Sequence, residues 1–303
     1  MLEQFKDYYK KARMNQERLY EGKSWTKEDI NDDLIWNVPI YDVVNRRYAA
    51  FSSLPEALWK GDDDPKNNGK YFKDKSIDKK DFAFLCYLFR LCGSGINYKP
   101  KKSESPFGTH GFGNFYLVDL IRKGFIKSED WINVDLIPQK GFCDVKGYLL
   151  PMIKQGLRWF IVNESKPLFE YLWEIVNNSN SQKMNIKQLV DEGNRYLVLN
   201  GYKRQNFVLT AFAMDLAEYF PNKVNQDSDV YVGSNAKKCL KLILPKMKND
   251  AALSYLCEIT GNKSKPYDME DVACDFIRYI ENFQSEEHIQ LNNGIKYYNN
   301  VCK

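Results

Sequence analysis

The chain has 303 residues, of which 44% are hydrophobic and 15% aromatic, so it is long and apolar enough to bury a sizeable core, and disorder throughout is excluded. Lys and Arg number 44 against 40 Asp and Glu, a net charge of +4, which permits nucleic-acid binding without requiring it. Seven cysteines without a C-x-x-C pair and only two histidines disfavour a disulfide framework, a zinc centre or a histidine-based hydrolase triad, leaving carboxylates to carry any chemistry. No metal and no organic cofactor is expected. The N-terminal stretch is amphipathic and charged, with no apolar core of the signal-peptide kind, and no long uncharged apolar run follows. The expectation is a cytoplasmic protein that makes no use of a membrane.

Taken in chain order, the apolar period is helical almost everywhere. Helices are predicted over residues 4–20, 41–58, 80–91, 115–123, 145–162, 166–176, 186–200, 204–220, 236–256 and 269–283. Thr26-Lys27-Glu28-Asp29 has the polar cap and first-turn acids of a helix start, and Gly201 suits the left-handed residue that ends one. Residues 61–79 are polar and rich in turn formers, which predicts a surface connection. The one strand-like alternation is Asp229-Val230-Tyr231-Val232. The fold class is therefore all-α. The chain reads as a single unit over 1–303, with two helical lobes, 1–98 plus 164–303 and 99–163, around a central cleft, where ligand sites of helical proteins are often found.

Chemistry concentrates between residues 88 and 136. In His110-Gly111-Phe112-Gly113-Asn114-Phe115 the glycines allow a tight turn that exposes unpaired N–H groups at the start of an apolar helix, an arrangement that attracts phosphate. An ordinary helix-to-helix turn has the same composition. His110, beside the turn, is a candidate phosphate contact. Asp135 sits in Trp131-Ile132-Asn133-Val134-Asp135-Leu136, where an apolar wall raises the cost of an unpaired carboxylate. Such a group can deprotonate water or stabilise a cationic sugar, or it can cap a helix. Arg46 and Arg47, on the predicted second long helix, are candidate phosphate contacts or members of a solvated face. Lys237, Lys238, Lys241, Lys246 and Lys248 form a basic helix end that would clamp DNA or keep the surface solvated.

Several segments together resemble a known group. Trp25-Thr26 after a basic first helix, Arg90-Leu91-Cys92-Gly93-Ser94-Gly95, Gly111-Phe112-Gly113-Asn114-Phe115, Asp119-Leu120, Asp135 followed by Gly141, and the echo Ala213-Met214-Asp215-Leu216-Ala217-Glu218-Tyr219 are similar to the alpha-glutamyl/putrescinyl thymine pyrophosphorylase branch of the helix-hairpin-helix DNA glycosylases. The resemblance implies a base-flipping fold in which Gly111, Gly113 and Asn114 hold the DNA backbone and Asp135 is the catalytic carboxylate, with Asp119 as second candidate. It also implies a base pocket shaped by Arg90, Ser94 and Asn97, although the same segment reads equally as a helix end capped by Gly93 or Gly95. Glycosylases that also cut the strand carry a lysine two residues beyond the last hairpin glycine. Here that position is Phe115, so no amine nucleophile is expected and the enzyme would be monofunctional.

The expected activity is cleavage of the N-glycosidic bond of a flipped hypermodified pyrimidine, hydroxymethylated or glycosylated as in phage DNA. An abasic site would remain in double-stranded DNA, and phage defence is the setting such an activity suits. The alternative within the same group is transfer of an amino acid or polyamine to a pyrophosphorylated 5-hydroxymethyl-deoxyuridine. A third expectation, from another class, is a non-catalytic helical module that binds DNA or protein.

Overall fold

A computed structural model describes residues 1–37, 44–48, 79–92, 157–179 and 182–281. These are mostly helical with almost no strand, which is an all-α architecture. Helix α1 (Leu2–Tyr20) buries Phe5, Tyr8, Tyr9 and Ala12 along one face, the spacing that makes one stripe of a helix apolar. The short α2 (Lys27–Ile30) starts at Thr26, whose hydroxyl accepts the N–H of Asp29 while the Asp29 carboxylate accepts the N–H of Thr26. It is followed by α3 (Asp33–Asn37) and by a single 3₁₀ turn, Arg46–Tyr48. The helix predicted over 41–58 is thus not continuous through 44–48, where the backbone bends into that tight turn.

Helix α4 (Lys79–Cys92) carries Phe82, Phe84, Tyr87 and Leu88 into the core. The next described helix is α5 (Leu157–Phe160), which passes through a π-helical turn, Ile161–Ser165, and continues as α6 (Lys166–Asn178), with Pro167 in its first turn. Next come α7 (Ile186–Leu199) and α8 (Asn206–Tyr219). Gly201 ends α7 at φ +78°, its N–H bonded to Val198 O at 3.1 Å and that of Tyr202 to Leu197 O at 2.8 Å. This double closure is the glycine-dependent helix end that the sequence predicts. Helix α8 is buried on all sides from Val208 to Ala217, which makes it the central rod of the fold. Gly193 of α7 lets it come close: a Cβ there would lie 2.9 Å from Leu209 Cδ1.

The last helices are α9 (Ser234–Ile243), α10 (Asn249–Ile259) and α11 (Pro266–Ile280). The continuous helix predicted over 236–256 is two helices, because Pro245 lacks the N–H and has the ring that together stop a helix. The predicted strand at 229–232 is also corrected. Val230 and Val232 do point into the core, but no strand forms there. The strand pairing among the described residues is a short parallel bridge, β1 (Met184–Asn185) on β2 (Val224–Asn225).

One apolar core runs through these segments. Phe5 and Tyr8 of α1 meet Phe276 of α11 at ring separations of 5.2 and 5.4 Å, while Phe84, Tyr87 and Phe212 surround Phe169 of α6. Cys86, Cys239 and Cys257 lie inside it as free thiols, and burial pushes the Cys239 and Cys257 thiols up to about 12, so they are unreactive near neutral pH.

Candidate functional site

The most concentrated polar feature lies inside the core, around Asp215 of α8. Its neighbours from Phe207 to Ala217 are almost all apolar, so a charge there must bring its own partners. Two arginines supply them. Arg90 at the end of α4 donates from Nε to Asp215 Oδ2 at 2.6 Å and from Nη2 to Oδ1 at 2.8 Å, a bidentate fork. Arg46 of the 3₁₀ turn donates from Nε to Asp215 Oδ1 at 3.0 Å. The three side chains are 9%, 4% and 2% exposed for Arg90, Arg46 and Asp215.

Arg46 is held from further directions. Its Nη1 donates to Asp271 Oδ2 at 2.6 Å, its Nη2 to the carbonyl of Ala211 at 3.1 Å, and its backbone N–H to Asp268 Oδ1 at 2.7 Å. Burial opposes the charge on Arg46, but Asp271 and Asp215 outweigh it and raise the pKa, so the guanidinium stays protonated. Asp268 and Asp271 both come from the start of α11, where Asp268 also accepts the N–H of Lys265 at 3.1 Å. Burial lifts the Asp268 carboxyl to about 7 in spite of these N–H donors. Around the rim, Arg47 lies 3.8 Å from Glu218 and over the ring of Tyr219, and the Tyr267 hydroxyl donates to Glu218 at 2.6 Å.

A second polar group forms at the π-helical turn. There the Lys166 N–H reaches back to Ile161 O, and the extra residue in the turn places Glu164 and Ser165 in the interior. Such turns recur at functional sites. Glu164 Oε1 accepts from Gln205 Nε2 at 2.9 Å, the Gln205 N–H donates to Asn194 Oδ1 at 2.8 Å, and Asn194 Nδ2 donates to Asn206 Oδ1 at 2.7 Å. Burial pushes the Glu164 carboxyl up to about 7. The Ser165 hydroxyl is fully buried and has no hydrogen-bond partner among the described residues.

Asp135, Asp119, His110, Gly111, Gly113, Asn114, Ser94 and Asn97 lie in 93–156, outside the described residues. The described candidates are Arg46, Arg47 and Arg90. Arg46, read from the sequence as a phosphate contact or part of a solvated face, lies in the core with each guanidinium nitrogen bonded inside the protein. Arg47 stays at the half-buried rim. Arg90, expected at the base pocket, turns Nε and Nη2 to Asp215.

Asp268 and Asp271 escaped the sequence reading. The available signal was their spacing: Asp268, Asp271 and Asp275 fall at i, i+3 and i+7 of α11, the rhythm of core positions. Acids on a core stripe imply buried cations elsewhere. Both oxygens of Asp215 are engaged by guanidinium groups, so the cluster fixes the position of Arg46 and Arg90. Among the described residues no group of His, Cys, Asp and Glu is arranged to hold a metal ion, and no helix is long and apolar enough to cross a membrane. No family model, no curated protein and no solved structure matches the chain.

Proposed function

We propose that the protein is a DNA glycosylase-like enzyme that flips out a hypermodified pyrimidine, of the hydroxymethyl or glycosyl type, and cleaves its N-glycosidic bond. The observation that carries the reading is the fixing of Arg90, a residue of the motif expected to shape the base pocket, by Asp215 in the core. A base-flipping site requires its groups to be held rigidly, because small displacements of a reacting group cost large factors in rate. Three charge-assisted bonds on Asp215, all desolvated, hold Arg90 and Arg46 in place in that way. The packing of α6 on α4 through Phe169 and Phe84, 5.0 Å apart, joins both helices in the same core.

In this reading Asp135 acts at the sugar. Its carboxylate stabilises positive charge as the bond from C1′ to the base breaks, and water adds at C1′ to leave an abasic site. Asp119 is the second candidate for that role. His110, Gly111, Gly113 and Asn114 grip the backbone, Ser94 and Asn97 bond the extruded base, and Phe115 leaves no amine to cut the strand.

The test is incubation of the purified chain with DNA from phages whose cytosine or thymine is modified. Release of a free modified base supports the proposal. A base that stays in the DNA and becomes heavier replaces it with amino acid or polyamine transfer. Unchanged DNA on every such substrate leaves a binding module.

A further inference from the structure

Helix α9 and the turn after it present a charge distribution unlike the rest of the molecule. From residue 230 to residue 249 there is no Asp or Glu, while Lys237, Lys238, Lys241, Lys246 and Lys248 all fall within it. The chain as a whole carries only +4. Helix α9 buries Ala236, Cys239, Leu240 and Ile243, and that face fixes the opposite one to solvent. All five lysines are exposed.

The surrounding acids are committed elsewhere. On α11, which packs against α9, Asp271 binds Arg46, Asp275 binds Arg278, and Glu270 accepts the N–H of Gly233. Asp250 at the start of α10 pairs with Lys187. Among the described residues, Glu281 is the acid that reaches the ridge, where it pairs with Lys238. Among the described residues, Lys237, Lys241, Lys246 and Lys248 have no carboxylate partner.

We propose that Lys237, Lys238, Lys241, Lys246 and Lys248 form a sequence-independent docking ridge for the phosphate backbone of DNA. The choice of DNA as the polyanion rests on the proposed function; the ridge itself is read from the charges. Lys237 and Lys241 stand one helical turn apart, a rise of about 6 Å, so successive lysines can follow successive phosphates of one strand. Between Lys237 and Lys248 there is no Arg, Asn, Gln or aromatic residue, so nothing is present to read base edges or to stack on a base. The same lack of Trp and Phe argues against an anionic lipid surface, where an amphipathic helix sinks aromatic side chains into the boundary.

The test compares the full chain with a Lys237→Gln, Lys241→Gln, Lys246→Gln variant in binding a random-sequence unmodified duplex as salt is varied. Each phosphate contact contributes about 0.9 to the slope of log affinity against log salt, so the variant is expected to be shallower by about 2.7. With equal binding at about 1 M salt, that is on the order of 100-fold weaker binding at about 0.15 M. A Lys10→Gln, Lys23→Gln, Lys263→Gln variant makes the same change of net charge on other exposed lysines and should match the wild type. If the triple variant folds poorly, Lys241→Gln alone should remove about 0.9 from the slope.

Equal slopes for the ridge and control variants overturn the proposal. So does lysine-dependent binding to phosphatidylserine vesicles by a protein that does not bind DNA. The catalytic reading is separated by measuring base release from modified DNA with the same proteins. Base release with an unchanged salt slope removes the ridge and keeps the enzyme; ridge-dependent binding without release from any modified DNA does the reverse.

Discussion

Replacing Asp215 with Asn should destabilise the protein by about 3–5 kcal/mol, the usual cost of removing one partner from a buried ion pair. Asn keeps the shape of the side chain but removes the charge that three donors address: Arg90 Nε at 2.6 Å, Arg90 Nη2 at 2.8 Å and Arg46 Nε at 3.0 Å. Arg46 retains Asp271. With an unfolding entropy of about 2.1 cal/mol/K per residue over 303 residues, the melting temperature should fall by roughly 5–8 °C. Denaturant unfolding followed by calorimetry measures it, with an unchanged m-value showing that the folded state kept its compactness. As a reference, Lys187→Gln breaks the more exposed 2.6 Å pair with Asp250 and should cost less than about 1 kcal/mol. If Asp215→Asn also costs less than about 1 kcal/mol, the cluster is not the desolvated anchor described above.

Other consequences are more local. The Glu164 carboxyl has a folded pKa of about 7 against an ordinary 4.5, so its contribution to stability is complete below pH 4.5 and is lost as pH rises through about 7. Glu164→Gln should therefore flatten the pH profile of unfolding between those values and leave the protein more stable than the wild type at pH 8; a variant less stable at pH 8 contradicts this. Gly201→Ala puts a Cβ at φ +78° and should cost about 1–2 kcal/mol, visible as a lower denaturation midpoint, and an unmoved midpoint would show that the α7 end is not held there. Under the proposed glycosylase reading, which places Phe115 where a lyase lysine would stand, borohydride treatment during turnover should trap no protein–DNA adduct.

The helical fold was legible because its cause is local. Buried faces at helical spacing, the Thr26 and Asp29 cap and the Gly201 terminus all act within a few residues, and α7 ends within one residue of its prediction. The errors arose where a local signal was overridden. Pro245 outweighed the helical period of 236–256, and Val230 and Val232 found core contacts without needing a partner strand.

The site was legible only as separate parts. Arg46, Arg90 and Asp215 were each conspicuous, but their partnership joins residues 169 and 125 positions apart, and no pattern along the chain encodes it. The same distance hid Arg46's burial: a basic residue in a polar stretch reads as surface unless the acids of α11 are already known to face it.

The central claim is that Asp135 breaks a sugar–base bond. Single-turnover release of the modified base from phage-type DNA, measured by mass spectrometry for the wild type and Asp135→Asn, tests it most directly. The account predicts a rate lower by about 10²–10⁴-fold for the variant at unchanged DNA affinity, the usual contribution of a positioned acid or base. Release at the wild-type rate by Asp135→Asn would contradict it and move the chemistry to Asp119 or to another residue.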